Sequence, residues 1–576
     1  TYFAAVAAGP YEGVHDEHDG IPLGVYSRRS MRPHLDPDRL LATTKQGLDY
    51  FQALLGIPYA FGKYDQVMVP EFNAGAMENP GLVTFRDERY LPRGTTTQAD
   101  REEMAGVQLH EMAHMWFGDL VTMRWWDDLW LNESFAEYLA HRALTDATEH
   151  TGAWTTFAVR RKAWGYHADQ LSTTHPVATD ADDTDEALGN FDGISYAKGA
   201  SALRQLATWV GDDAFVAGLR AHLEAHQFGN ATLADFVVAV AQASGRNVAG
   251  WADRWLRTAG VSTLAVETAV RDGHYSGARL VQTVPDRHPT PRPHRLLVGL
   301  YDRVESQLAR RGTLEVDVEA AHSTALPELV GQRPADLVLP NDGDLTFALA
   351  SFDATSLATV LAHLDELSDP LARALVWTTL WQMVGAGRLA PADYLQVVRA
   401  GASPVDHSAV TAMVLARAVT AATLWSGPAR ETSSAELASW CLERSHALVA
   451  GSDVQLELVR AWTRVADDVR LLEAWTRGDS LPEGVRLDTD LRWRVVQRLA
   501  ALGAVDRDRL DQEYERDRTS AAWLSRWSAR AALADSHAKE TAWRAALDGE
   551  LSNHELEAVG RGFWQAGQHD LLAPYR

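Results

Sequence analysis

The sequence predicts a multidomain α+β protein, in which a unit of mixed helices and strands is followed by a small β-sandwich and an α-helical solenoid. At 576 residues the chain is too long for a single hydrophobic core. Alternating apolar residues predict five short strands between residues 264 and 339, separated by turns and a proline-rich link. From residue 351 onward nearly every segment has helical spacing, with short breaks rich in Gly, Pro, Ser and Asp. We therefore divide the chain into four segments: 1–35, 36–260, 261–350 and 351–576.

Composition narrows the classes of partner. The net charge of −24 argues against nucleic acid or an anionic membrane as a partner. No run approaches eighteen uninterrupted apolar residues, so we expect no membrane insertion. Cys441 is the only cysteine, which excludes a disulfide framework and suits a reducing, cytoplasmic location. We expect a monomer. Because the chain starts at Thr1 rather than at methionine, it can be a fragment, and its sequence does not test for a signal peptide.

Mixed elements are predicted before residue 90. Residues 1–8 have the pattern of a strand, a Gly/Pro/His/Asp loop follows, and 21–28 is extended. Leucines and Phe51 at helical spacing predict a helix over 37–55. Strands are predicted at 64–70 and 81–86.

The strongest local signal is His110-Glu111-Met112-Ala113-His114, followed after eighteen residues by Glu133. Two histidines four apart on a helix project from one face, about 6 Å apart, as two ligands of one metal require. We predict that this helix runs from residue 98 to 117, with Thr97 as its N-cap. A second helix over 129–144 would supply Glu133 as the third ligand. The alternative is an amphipathic helix whose histidines have ordinary hydrogen-bond partners.

These residue types suit zinc. Two neutral imidazoles and one carboxylate leave Zn²⁺ a positive charge and an open position for water. The ion lowers the pKa of that water from about 16 to about 7. Glu111 would take the water's proton as general base and pass it to a leaving amine. We expect one zinc ion per chain.

A second motif, Gly75-Ala76-Met77-Glu78-Asn79, lies between the two predicted strands. Its backbone could hydrogen-bond an extended peptide by strand addition, and Glu78 could pair with a cation. Taken alone, these five residues favour a plain turn.

The two motifs together resemble those of the gluzincin aminopeptidases, specifically the aminopeptidase N family. Similar segments follow at 130–138, at Tyr196-Ala197-Lys198-Gly199-Ala200 and at 339–346, so the resemblance covers essentially the whole chain. It implies a thermolysin-like catalytic domain over 36–260, preceded by the remnant of an N-terminal β domain and linker. The helical arch would cover the site and restrict entry to short peptides with a free N-terminus.

The resemblance also implies a role for each site residue. His110, His114 and Glu133 would bind zinc, with Glu111 as general base. Tyr196 would donate a hydrogen bond to the oxyanion of the tetrahedral intermediate. Glu78 would bind the α-ammonium of the substrate, and the rest of its segment would also contact substrate: Gly75, Ala76, Met77 and Asn79. Ala74 would lie beside the pocket for the first side chain. Glu137 and Asn132 would lie behind the metal ligands and support them. A surface salt bridge is a nearly equal alternative for Glu137. If the family resemblance is set aside, Tyr196 is better explained as an aromatic side chain that packs in the core.

Other functions share this metal core. A zinc endopeptidase would have no use for Glu78, because an internal peptide bond offers no ammonium group. An epoxide hydrolase is disfavoured by the predicted β-sandwich and by Ala76. The remaining alternative is a catalytically impaired fragment or scaffold homologue, since the N-terminal domain that completes the family's pocket is not recognisable here.

Overall fold

The computed structural model describes residues 4–401 and 407–576. In the first part, up to residue 260, the strands are β1 (Tyr11–His18), β2 (Ile21–Arg28), β3 (Tyr64–Val69), β4 (Ala76–Met77), β5 (Leu82–Arg86), β6 (Val121–Met123) and β7 (Gly229–Ala231). The α-helices there are α1 (Pro37–Leu55), α2 (Asp87–Tyr90), α3 (Gln98–Ala113), α4 (Trp130–Ala147), α5 (Ala153–Thr156), α6 (Lys162–Asp169), α7 (Thr184–Gly189), α8 (Gly199–Val210), α9 (Asp212–His226), α10 (Leu233–Ser244) and α11 (Val248–Trp255). Two single π-helical turns, Phe157–Arg161 and Ile194–Lys198, precede α6 and α8.

Five of these strands form one mixed sheet in the order β1-β2-β3-β5-β4. The strands predicted at 21–28, 64–70 and 81–86 are confirmed. The strand predicted at 1–8 is wrong: residues 4–8 are not a strand, and residues 1–3 lie outside the described part. The hairpin strand is β1, which turns into β2 through Asp19 and Gly20 at φ 48° and 79°. Its polar residues resembled a loop because β1 is an outer strand whose side chains mostly face solvent.

This sheet also changes the expected boundary at residue 35. β2 pairs in parallel with β3, and its Leu23 and Val25 belong to the same hydrophobic core as the helices behind the sheet. Residues 11–28 are therefore part of the sheet that carries the site, rather than a separate remnant.

Helices α1, α3 and α4 pack together behind the sheet. Gly47 allows α1 to approach α3 closely, since a Cβ there would lie 2.6 Å from Leu109 and 2.7 Å from the sulfur of Met112. This contact fixes α3 along the length that carries the two histidines.

The next part contains β8 (Thr263–Arg271), β9 (His274–Thr283), β10 (His294–Val304), β11 (Gln307–Val318), β12 (Ser323–Ala325), β13 (Leu337–Asp342) and β14 (Leu349–Ser351). They form two sheets, β11-β10-β13 and β12-β9-β8-β14, whose buried residues share one core. The prediction of five strands was too low, because β12 and β14 are only three residues long and carry no clear alternation.

The last part is helical, as predicted. Its α-helices are α12 (Ala354–His363), α13 (Pro370–Gly385), α14 (Pro391–Gly401), α15 (Ser408–Thr420), α16 (Arg430–Ala447), α17 (Asp453–Val465), α18 (Val469–Thr476), α19 (Thr489–Ala501), α20 (Arg507–Arg516), α21 (Ser520–Ala532), α22 (Ser536–Leu547), α23 (Asn553–Phe563) and α24 (His569–Leu572). Helices α15, α17, α19, α21 and α23 pack on one another in that order.

Within the described residues, one helical stretch, Ser408–Trp425, has the length and composition of a membrane span, with a mean hydropathy of 1.4. Of that stretch 61% is buried inside the protein, and Val410, Val414 and Ala418 lie in the helical core. A core helix passes the same test, so the absence of membrane insertion stays a prediction.

Candidate metal centre

The two predicted histidines lie at the end of α3. The Thr97 hydroxyl accepts a hydrogen bond from the Asp100 N–H, and the Asp100 carboxylate accepts one from the Thr97 N–H, so the predicted N-cap at Thr97 is present as part of a capping box. The helix ends at Ala113 rather than at 117. The turn after it brings the Phe117 carbonyl to 2.9 Å from Nδ1 of His114. Donation of Nδ1–H to this carbonyl leaves Nε2 of His114 with a free lone pair.

Glu133 on α4 faces these histidines. Nε2 of His110 and Nε2 of His114 lie 3.0 Å apart, and Oε2 of Glu133 lies 3.4 Å and 3.5 Å from them. A tetrahedral zinc ion with bonds of about 2.0–2.1 Å needs ligand atoms about 3.3 Å apart. Burial alone would raise the pKa of the Glu133 carboxyl, but His114 and His110 hold it well below its usual range. The donor atoms present therefore fit zinc in spacing and in charge.

Glu137, one turn after Glu133, lies behind the ligands. Its Oε2 is 3.5 Å from Nδ1 of His110. Arg161 donates two hydrogen bonds of 2.7 Å to the Glu137 carboxylate. Burial raises the pKa of the Glu137 carboxyl, but Arg161, followed by His141 and His110, brings it down to about 2. Asn132 is also buried, on the residue before Glu133.

Two further carboxylates face the site from the other side. Side-chain oxygens of Glu78 and Glu111 and a ring nitrogen of His114 all lie within 4.8 Å of one another. Burial, reinforced by the charge of Glu78, raises the pKa of the Glu111 carboxyl well above its usual range. Burial and Glu78 also raise the pKa of Asp119 to about 9. A bound dication would oppose these shifts, because it favours the ionised carboxylates around it.

The segment from Gly75 to Asn79 runs along the edge of the sheet. Ala76 and Met77 form β4, antiparallel to β5, and the Gly75 carbonyl accepts a hydrogen bond of 3.0 Å from the Arg86 N–H. Among the described residues β4 has no strand on its other side. The Asn79 carbonyl accepts from the Leu82 N–H where the segment turns back. Ala74, just before it, is exposed. A turn alone does not describe this segment, which includes an edge strand open to a further extended chain.

Tyr196 completes the cluster from the π-helical turn Ile194–Lys198. Its ring stacks on the His110 ring, with centroids 5.8 Å apart and planes at 16°. Burial, reinforced by the charge of Glu133, raises the pKa of the Tyr196 phenol well above its usual range. The hydroxyl is therefore a neutral hydrogen-bond donor at pH 7.

The chain is similar to known proteins over its whole length. The family model described as the peptidase family M1 domain matches residues 40–255, and the model of the ERAP1-like C-terminal domain matches residues 337–576. Aminopeptidase N of Streptomyces lividans is 43% identical over 595 aligned residues, which cover all of this chain and 69% of that protein. The chain belongs to the aminopeptidase N family. It is thus a metallo-aminopeptidase of the M1 type, as its two motifs predicted.

Other M1 relatives match a smaller share of their own length. Tricorn protease-interacting factor F2 of Thermoplasma acidophilum is 30% identical over 71% of this chain and 49% of its own length. The probable aminopeptidase 2 of Sulfurisphaera tokodaii is 36% identical over 46% of this chain and 34% of its own length. The chain thus spans about two thirds, one half and one third of the full lengths of these three relatives, respectively.

Sequence reasoning missed Arg161 and Asp119. Arg161 lies in a run of three basic residues, Arg160-Arg161-Lys162, which resembles a solvated surface. Its contact with Glu137 joins residues 24 positions apart, which no local pattern reveals. Asp119 lies in the turn after His114, and we took that stretch for the end of the helix.

The acidic stretch 180–186 contains the start of α7, where the Asp183 carboxylate accepts hydrogen bonds from the N–H groups of Asp185 and Glu186. Acidic residues at a helix start are favoured by the exposed N–H groups there.

Proposed function

We propose that this protein is a zinc-dependent aminopeptidase that hydrolyses the N-terminal peptide bond of short peptides. The observation that carries the proposal is the convergence of Nε2 of His110, Nε2 of His114 and Oε2 of Glu133 within 3.5 Å, beside the buried carboxylate of Glu78. Three such donors hold a zinc ion with an open position. A carboxylate next to that position suits a substrate with a free α-ammonium.

The proposed mechanism assigns each step to a residue. When bound, a zinc ion would act as a Lewis acid and lower the pKa of a water molecule to about 7. Glu111 would take a proton from the attacking water, whose oxygen bonds to the scissile carbonyl carbon, and would pass that proton to the nitrogen of the leaving peptide as the C–N bond breaks. Tyr196 donates a hydrogen bond to the oxygen that gains negative charge at the scissile carbonyl. Glu137 holds His110 through Nδ1, which keeps Nε2 directed at the metal.

Substrate binding would use the sheet edge. A peptide adding to β4 would gain main-chain hydrogen bonds, and Glu78 would pair with its α-ammonium. Because an internal peptide bond has no ammonium to pair with this buried carboxylate, an endopeptidase is the weaker proposal. We assign thermolysin-like architecture to the catalytic part, a sandwich to β8–β14 and a solenoid arch to α12–α24.

The expectation that substrates are short rests on the family resemblance. A cavity of about 1510 Å³ lies between the end of β5 and the helical part, and the proposed metal ligands do not line it. Arg86 at the end of β5, with Glu88 and Arg89 after it, lines one side, and Arg464 and Arg494 on α17 and α19 line the other. Arg86 also donates to His554 of α23, which ties the helical part to the strand beside Gly75. The expected monomeric state and cytoplasmic location stay predictions.

The test compares hydrolysis of an alanyl anilide with that of its N-acetylated twin, each with and without a zinc chelator. Cleavage of the free-amine substrate alone, abolished by chelation and restored by zinc, is the expected result. Cleavage of both substrates would favour an endopeptidase or a less selective hydrolase. If a chain that carries one zinc ion cleaves neither substrate, the assignment of activity to this chain fails.

A further inference from the structure

Arg161 contacts both Glu137, which lies behind the proposed ligand His110, and the ring of Tyr196. Through Nε and Nη2 it donates to both oxygens of Glu137, each at 2.7 Å, and Glu137 in turn faces Nδ1 of His110 at 3.5 Å. Its guanidinium carbon also lies 5.7 Å from the ring centroid of Tyr196 and 4.8 Å from that of Trp164. A bidentate pair fixes the plane of a carboxylate, and a cation over an aromatic face fixes the ring.

The setting of Glu137 makes this pairing necessary. Glu137 is 4% exposed, and a buried carboxylate that loses its cationic partner costs several kcal/mol of free energy. The nearby His141 directs Nδ1 at the Glu137 main-chain carbonyl at 2.9 Å and lies 3.5 Å from the carboxylate, so it is a weaker partner of that carboxylate than Arg161 with its two hydrogen bonds of 2.7 Å. A rotated Glu137 carboxylate would no longer orient His110 as a metal ligand.

The backbone at Arg161 is held from its other side. The next residue, Lys162, is buried, forms an ion pair with Asp344, and donates a hydrogen bond of 2.6 Å to the Thr346 carbonyl. These two partners lie in the turn after β13. Arg161 is therefore anchored to the β-sheet part of the chain while its side chain reaches the metal centre.

We propose that Arg161 is a positioning residue that couples the zinc ligand His110, through Glu137, to the oxyanion donor Tyr196. The rings of His110 and Tyr196 stack on each other. Arg161 binds Glu137, which faces His110, and its guanidinium lies over the ring of Tyr196. This inference rests on the proposed function in that His110 is taken to be a zinc ligand.

The test measures zinc affinity directly, by competition with a chromophoric chelator, together with kcat and KM. Arg161→Met should weaken zinc binding about 10- to 100-fold. It should also lower kcat more than it raises KM, because Tyr196 acts on the transition state. Arg161→Lys keeps the charge but loses the bidentate geometry, so its losses should be intermediate. Arg160→Met is the matched control: it removes the neighbouring arginine, which pairs with Glu103, and should leave zinc affinity unchanged.

Two further measurements separate positioning from a general loss of structure. The Arg161→Met/Glu137→Gln double variant should bind zinc as tightly as whichever single variant has the lower zinc affinity. The two losses should not add, because both substitutions break the same contact between Arg161 and Glu137. In Arg161→Ala, added methylguanidinium should recover part of the zinc affinity, since the Arg161 side chain is 33% exposed and its place can be reached from solvent.

The outcomes distinguish the two proposals. A wild-type chain that binds no zinc contradicts the proposed function itself. A wild-type chain that binds zinc, with Arg161→Met unchanged in affinity or with additive losses in the double variant, contradicts only the role of Arg161. If Arg161→Met does not fold, Arg161→Lys and Glu137→Gln decide the question by the same criteria.

Discussion

Gly199 lies where the turn that carries Tyr196 touches the helix that carries Glu133. A Cβ added at Gly199 would lie 1.9 Å from Oγ and 2.7 Å from Cβ of Ser134. Ser134 follows Glu133, and its hydroxyl donates a hydrogen bond of 2.6 Å to the Ser195 carbonyl, next to Tyr196. Gly199→Ala must therefore separate these two elements at the site.

The size of the displacement follows from the contact. Rotation of the Ser134 side chain can relieve the 1.9 Å contact with Oγ, at the loss of its hydrogen bond to Ser195, but it cannot relieve the 2.7 Å contact with Cβ. Ordinary contacts of a Cβ begin at 3.4 Å, so the two elements must separate by at least about 0.7 Å. Strain of this kind costs about 1–3 kcal/mol of stability. Misplacement of a reacting group by about 1 Å can cost 10²-fold in rate. We expect Gly199→Ala to lower kcat about 10²-fold while the chain still binds zinc, because α3 with both histidines does not touch this contact.

The assay combines kcat, KM, zinc content and thermal unfolding for Gly199→Ala, Ser134→Gly and the double variant. Ser134→Gly removes both clashing atoms, so the double variant should recover activity relative to Gly199→Ala. Gly560→Ala, at a helical glycine with open space around the added Cβ, is the control and should be neutral or slightly stabilising. Full activity in Gly199→Ala, or a double variant no better than the single one, would refute the reasoning.

Three other predictions concern the site and its support. Glu111→Gln should lower kcat by about 10²- to 10⁴-fold with zinc content unchanged, since we propose that Glu111 acts on the water and does not bind the metal; loss of zinc on dialysis would contradict this. Glu78→Gln should reduce the preference for an alanyl anilide over its des-amino analogue by up to about 10³-fold, because two charges about 4 Å apart at an effective dielectric constant of 20 interact by about 4 kcal/mol. An equal loss on both substrates would remove its ammonium-binding role. His294 is buried, and this burial, with the charge of Arg292, lowers its pKa to about 3. Between pH 6.5 and 3 the unfolded chain binds the extra proton, so stability falls as the pH falls, by about 2 kcal/mol at pH 5. Urea unfolding of wild type and His294→Gln at pH 7.5 and 5 should show this difference; parallel curves would disprove it.

Some elements could be predicted because their signals are local. The capping box at Thr97, the i, i+4 histidines and the extent of α1 depend on residues within one or two helical turns of one another. The outer strand β1 could not be predicted, because a strand forms only by pairing with a partner strand and the polar residues of an edge strand resemble those of a loop. The same limit hid β12 and β14.

The amino-acid sequence by itself predicted which residues would bind zinc and which carboxylate would act as a base. These predictions follow from residue type and helical spacing, which are properties of short stretches. Only the tertiary structure decided how those groups are held. The bidentate pair of Arg161 with Glu137, the burial of Asp119 and the contact of Gly199 with Ser134 join residues far apart in sequence. Their positions depend on how helices and sheets pack, because packing rather than local preference fixes the distance and the dielectric environment between such groups.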